Sequence, residues 1–200
     1  MEIITNRGQY VFVARNRKLL KDGITASGHS MEEAIIFINH KHAMDFILQA
    51  PEYFSKVNVT KIEDIHKILS NNLNIGSGLR KTPVGIIGTN YKPLDNVFSI
   101  RKALEKACIC INKMSFGLEK ALISIATISY IQPFADCNNR TARMVGNALL
   151  LAHSFCPLSY KSVNELEYKK AIIIFYEQNS ISYFKQLFIE QFKSAIDRYF

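Results

Sequence analysis

Cysteine is scarce in this 200-residue sequence, and the four present, Cys108, Cys110, Cys137 and Cys156, lack the paired spacing of a zinc site and are too few to staple a chain of this length. Reduced thiols and a cytoplasmic setting are the expectation, with export as a secreted effector left open. Glycine and proline are also sparse, at nine and five residues, which excludes collagen-like and low-complexity compositions. Long apolar runs are missing. The longest, Ala121 to Ile131, falls short of the roughly 18 residues that a membrane span requires and reads instead as a helix buried on all sides. No apolar stretch follows the first basic residue between Met1 and Tyr10, so no signal peptide is expected. Repeats and Pro/Gly/Ser-rich linkers are absent as well, and with them any support for a domain boundary within the main body.

What remains is a composition of 48% hydrophobic and 21% charged residues, enough to bury a sizeable core. We expect a single globular unit over residues 23–200, preceded by an appendage over residues 1–22 in which Val11, Phe12 and Val13 are apolar and Arg15 to Asp22 densely charged. The excess of 25 basic over 17 acidic side chains gives +8, which suits nucleic acid, an acidic partner or a phosphorylated small molecule without choosing among them. Nucleic acid ranks last. The C-terminal aromatics Phe175, Tyr176, Tyr183, Phe184, Phe188, Phe192, Tyr199 and Phe200 follow helical spacing without a Gly-rich RNA-binding pattern, which fits core and interface packing and leaves self-association open.

Capping pairs place three helix starts: Ser30 with Glu33, Thr60 with Glu63 and Asn164 with Glu167. Apolar residues recurring every three or four positions predict further helices over Val97 to Asn112, Gly117 to Tyr130, Asn139 to His153 and Ile181 to Phe200, so the fold class is mostly α. Between Gly76 and Pro93 the glycines, prolines and β-branched residues predict a short β-hairpin with its turn near Gly88 to Asn90.

The stretch that carries chemistry is Gln132-Pro133-Phe134-Ala135-Asp136-Cys137-Asn138-Asn139-Arg140-Thr141-Ala142-Arg143. Pro133 ends one helix, and a tight loop then feeds the next, whose N-terminal N–H groups and dipole favour an anion. Arg140 and Arg143, three apart, can share a face and offer forked donors to phosphate. Asp136 is the nearby carboxylate, and one carboxylate with phosphate oxygens and water is a usual Mg²⁺ environment. On local pattern alone Asp136 could equally cap the helix and the arginines be solvated surface charges.

This stretch resembles the signature of the Fic family, of Fido fold, His-Pro-Phe-x-Asp-Gly-Asn-Gly-Arg-x-x-Arg: Pro133, Phe134, Asp136, Asn138, Arg140 and Arg143 match in register. Gly78-Leu79-Arg80 followed by residues 84–93 is similar to the family's flap hairpin, which by resemblance makes Gly85, Ile86, Ile87, Gly88, Thr89, Asn90 and Tyr91 a target-docking edge. Glu63 to Lys67 resembles the helix before the flap, and the likeness runs from about Gly23 to about Glu190. The resemblance implies transfer of AMP from ATP to a Ser, Thr or Tyr hydroxyl of a target protein. It assigns Asp136 to Mg²⁺ and Cys137, Asn138, Asn139, Arg140, Arg143, Asn147 and Tyr168 to the nucleotide, and leaves an antitoxin partner open. The alternatives within the same resemblance are a non-catalytic nucleotide- or protein-binding relic and a related phosphotransferase.

Gln132 stands where the family has its general base, His, and an amide cannot accept and release a proton near neutral pH. Transfer is therefore expected to be weak or lost. Cys137 and Asn139 occupy two motif glycine positions, where positive φ suits Asn better than Cys. The family's inhibitory helix, Ser/Thr-x-x-x-Glu-Gly or Asn, resembles the region from Thr25 onward, with Ser27 at the Glu position and Gly28 beside it, so Arg143 is expected to lack an inhibitory carboxylate.

Overall fold

The computed structural model describes residues 30–160 and 163–199. Among these residues the chain is all helical: α1 (Met31–Gln49), a 3₁₀ turn (Pro51–Phe54), α2 (Val59–Leu69), α3 (Val97–Lys113), α4 (Gly117–Ile131), α5 (Asn138–Ala152), α6 (Glu165–Gln178) and α7 (Ser182–Tyr199). The proposed appendage, residues 1–22, and Ser27 and Gly28 lie outside the described residues.

Two helices form the centre. The apolar run of α4 buries Ala121, Ile125, Ala126 and Ile128 on successive faces, as its composition requires, and α5 buries Ala142, Met144, Val145 and Leu149 against it. Fully burying each large aliphatic side chain contributes about 1.5–3 kcal/mol. The close approach of this antiparallel pair needs small residues. A Cβ on Gly146 would sit 2.5 Å from Ile125 Cδ1, and one on Gly117 2.5 Å from His153 Cβ. α1, α2 and the 3₁₀ turn pack on α5, while α3 and α6 pack on α4 and α7 on α6.

The helix ends follow local chemistry. Ser30 and Glu33 form a reciprocal capping box, with Glu33 N–H donating to Ser30 Oγ at 3.1 Å and Ser30 N–H to the Glu33 carboxylate at 3.2 Å. Asn164 caps α6 through Leu166 N–H at 2.9 Å. The cap of α2 is Asn58, two residues before the expected Thr60, because Asn58 is already extended and its Oδ1 takes the Lys61 N–H at 2.9 Å.

The predicted hairpin is corrected. Residues 76–95 form an irregular loop with no strand, turning at Gly88 (φ +89°) as the glycine placement anticipates. Pro83 and Pro93 bring no N–H, and the carbonyls of Thr82 and Leu94 are both taken by the Arg80 side chain. The Asn90 N–H goes to Glu177 at 2.7 Å. With its ladder groups spent on side chains, a two-stranded pairing that is marginal on its own does not form.

Candidate functional site: the loop between the two central helices

α4 ends at Gln132, which adopts left-handed geometry (φ 49°, ψ 59°) and returns its N–H to Ile128 O at 3.0 Å. Pro133 then prevents continuation. Phe134 turns inward to full burial, and Asn138 clasps its backbone from both sides: Nδ2 donates to Phe134 O and Oδ1 accepts from Phe134 N–H, each at 2.9 Å. The ring of His66, from α2, stacks on Phe134 with centroids 3.8 Å apart and planes 6° from parallel. His66 Nε2 lies 3.2 Å from Asp136 O.

Burial lowers the His66 pKa to about 4, so the ring is neutral at pH 7 and its Nε2–H donates to the Asp136 carbonyl. The imidazole is thus a rigid strut under the loop. Because the folded pKa lies below the unfolded value, the unfolded chain takes up the proton first. This contribution is intact above about pH 7 and lost as pH falls from ~6.5 to ~4, by about 3 kcal/mol. We expect urea denaturation across this window to show that loss, and His66→Phe to flatten it; parallel profiles for the two proteins would reject it.

The opposite side of the loop faces outward. Asp136 is exposed, and its Oδ1 accepts the Cys137 N–H at 2.5 Å. Cys137 is buried and left-handed (φ 63°, ψ 10°), at a cost of about 1 kcal/mol for a residue with a Cβ. It gives α5 no side-chain cap, which leaves first-turn N–H groups pointing out of the helix. Burial pushes the Cys137 thiol up despite Arg140, which opposes a reactive thiolate. Asn139 is helical, so of the two residues at motif glycine positions only Cys137 carries positive φ.

Arg140 places Nη1 in a buried position with no hydrogen-bond partner among the described residues. The Arg143 guanidinium lies over the Tyr168 ring, 5.5 Å from its centroid. Tyr168 meets Tyr160 and Phe184 edge-on at 5.7 and 5.6 Å, and the hydroxyls of Tyr160 and Tyr168 are buried without a partner among the described residues. His40, from α1, is held below its ordinary pKa by burial and by Arg143 and Arg140, so it adds no third charge to this face. Among the described residues no group of three or more His, Cys, Asp or Glu side chains could hold a metal.

The structure therefore brings Asp136, Cys137, Asn138, Asn139, Arg140, Arg143 and Tyr168 to one end of α5. It separates their jobs. Asn138 is a buried clasp, and Asn147 spends its amide on Leu158, donating to its O at 3.0 Å and accepting from its N–H at 2.8 Å. Gln132 is buried, with Nε2 donating to Ser129 O at 2.6 Å and reaching Tyr176 Oη at 3.4 Å; Tyr176 Oη in turn donates to Ser129 O at 2.9 Å. The flap loop is fastened by Glu177 to Thr89 and Asn90 and by Tyr91 Oη to Tyr130 O at 2.9 Å, with Ile87 fully exposed between. Sequence reasoning missed Tyr176, Glu177 and His40 as neighbours of the site and placed His66 only within the helix before the flap, since helical spacing shows which face is buried but not which distant loop it meets.

Residues 56–150 match the model of the Fic/DOC family. Over these residues the chain carries a Fic/DOC-family domain. Its fold superimposes on Fic-1 (aa134–508) from C. elegans with a TM-score of 0.80 at 19% identity, covering 94% of this chain and 57% of that one. A Fic domain containing signaling protein from Bacteroides thetaiotaomicron gives 0.71 at 15% identity, with 90% and 75% covered. BepC, a VirB-translocated effector from Bartonella tribocorum solved with bound AMPPNP, gives 0.55 at 15%, with 76% and 85% covered. The chain thus spans a little over half of the C. elegans structure. No curated protein matches it by sequence. No helix among the described residues is long and apolar enough to cross a membrane.

Proposed function

We propose that the chain is a Fic-type nucleotidyltransferase of the adenylyltransferase class, which binds Mg-ATP at the head of α5 and directs AMP to a Ser, Thr or Tyr hydroxyl of a target protein, with turnover weak or absent because Gln132 replaces the base. The observation that carries this reading is the Arg140 guanidinium, with Nη1 buried and unpartnered beside an uncapped helix N-terminus. Two donor sets left without acceptors at one point fit a phosphate chain. Asp136, exposed and with Oδ1 occupied only by the adjacent amide, would hold Mg²⁺, which supplies charge neutralisation and orientation for the phosphates. Arg140 and Arg143 orient the phosphates, and the edge of the flap loop aligns the target. The AMPPNP in BepC supports a nucleotide at such a fold.

A second reading, a binding relic without turnover, is favoured by the Gln132 amide, which is buried and turned back onto Ser129 O. Mg-ATP separates the outcomes. At ~100 times Kd it is expected to stabilise the fold by about 2.7 kcal/mol, read as a raised melting temperature, and Asp136→Ala is expected to abolish the shift. No shift in the parent chain rejects the nucleotide. Label retained on protein from the α position of ATP indicates AMP transfer, from the γ position alone a phosphotransferase, and from neither the relic.

A further inference from the structure

We propose that Arg80 is a positioning residue that locks the flap loop to the motif loop, so that the two move as one body; the inference deepens the transferase reading and rests on it for its catalytic consequence. Arg80 is only 4% exposed, yet it has no carboxylate within ion-pair distance among the described residues. Its acceptors are carbonyls. Nε–H donates to Gln132 O at 2.7 Å, Nη1 to Thr82 O at 2.9 Å and Nη2 to Leu94 O, while its backbone N–H donates to Pro133 O at 2.9 Å. One side chain therefore closes both ends of the segment between residues 82 and 94 and pins that closure to the residues at and after the base position.

The charge is accommodated by its location. Gln132 O and Pro133 O lie at the C-terminus of α4, the negative end of the helix dipole, where a cation is favoured and where carbonyls lack helical partners. Three carbonyls at separate points match the planar fork of a guanidinium. An ammonium on a flexible stem reaches fewer of them at once, so Lys is not an equivalent here. The tip of the flap has its own fastening through Glu177, which touches Thr89 and Asn90 but not the motif loop, and this gives a control that loosens the flap without touching Arg80.

The test is hydrogen exchange on the full chain. Arg80→Lys is expected to speed exchange at least tenfold both at the hydrogen-bonded Asn90 and Tyr91 amides and at the Gln132 amide, with the amides of α3 and of mid-α4 unchanged. Glu177→Gln is expected to speed it over residues 88–91 alone. Acceleration confined to one segment in Arg80→Lys, or spread evenly over the chain, overturns the proposal. Should the variant fail to fold, the parent chain still decides. The Arg80 Nε–H resonance should exchange at least tenfold more slowly than those of the other arginines, and exchange as fast as theirs overturns the coupling. In a Gln132→His background, Arg80→Lys is expected to lower kcat about tenfold with KM for ATP within twofold, whereas a rise in KM at constant kcat contradicts positioning. Absence of any transfer in that background counts against the transferase reading alone, since the exchange measurements need no nucleotide.

Discussion

Gln132→His is expected to raise AMP transfer by about 10²- to 10⁴-fold over the parent chain, the range a well-placed general base supplies. The backbone at this position is already set, because the left-handed turn after α4, the Arg80 bond to its carbonyl and Pro133 do not depend on the side chain. Tyr176 Oη, now 3.4 Å from the Gln132 amide nitrogen, is available to accept from one imidazole nitrogen and so fix the tautomer, leaving the other to take a proton. An amide in the same place has no basic nitrogen. The measurement is incorporation of label from the α position of ATP into protein at equal enzyme concentration. If Gln132→His binds Mg-ATP but transfers nothing, the defect lies elsewhere in the loop, with left-handed Cys137 the first candidate and Cys137→Gly the variant to add.

Phe134→Ala is expected to cost about 3–5 kcal/mol of stability, measured by denaturant unfolding at pH 7. The ring is fully buried, and its removal leaves a cavity at the junction of α2, α4 and α5. It also strips His66 of its stacking partner, and the His66 to Asp136 bond depends on that alignment. The backbone clasp by Asn138 does not involve the ring and survives, so the loop is expected to loosen rather than to refold elsewhere. A loss below about 1 kcal/mol would mean that the clasp alone sets the loop and that the aromatic anchor is dispensable.

Much of the fold could be read from the sequence because its determinants are local. The spacing of apolar residues placed α3, α4, α5 and α7 within a residue or so of their observed ends, and the Ser30 box and the Asn164 cap appeared where side-chain chemistry requires them. The motif residues were readable for the same reason, since a loop of six residues between two helices must gather at one end of the second. The failures share a cause as well. Residues 76–93 have hairpin composition, but the acceptors that would form its ladder are claimed by Arg80, which precedes them, and its turn is held by Glu177, far along the chain. The pairing of the Asn147 amide with Leu158 was likewise not legible, because no spacing rule encodes a contact between a helix and a loop eleven residues on.

The clasp of Asn138 on Phe134 makes the connector's conformation a property of the free polypeptide. A guest docking there would meet a mould that has already set, so the freedom surrendered would be chiefly its own, and discrimination among candidate guests would fall to shape and charge.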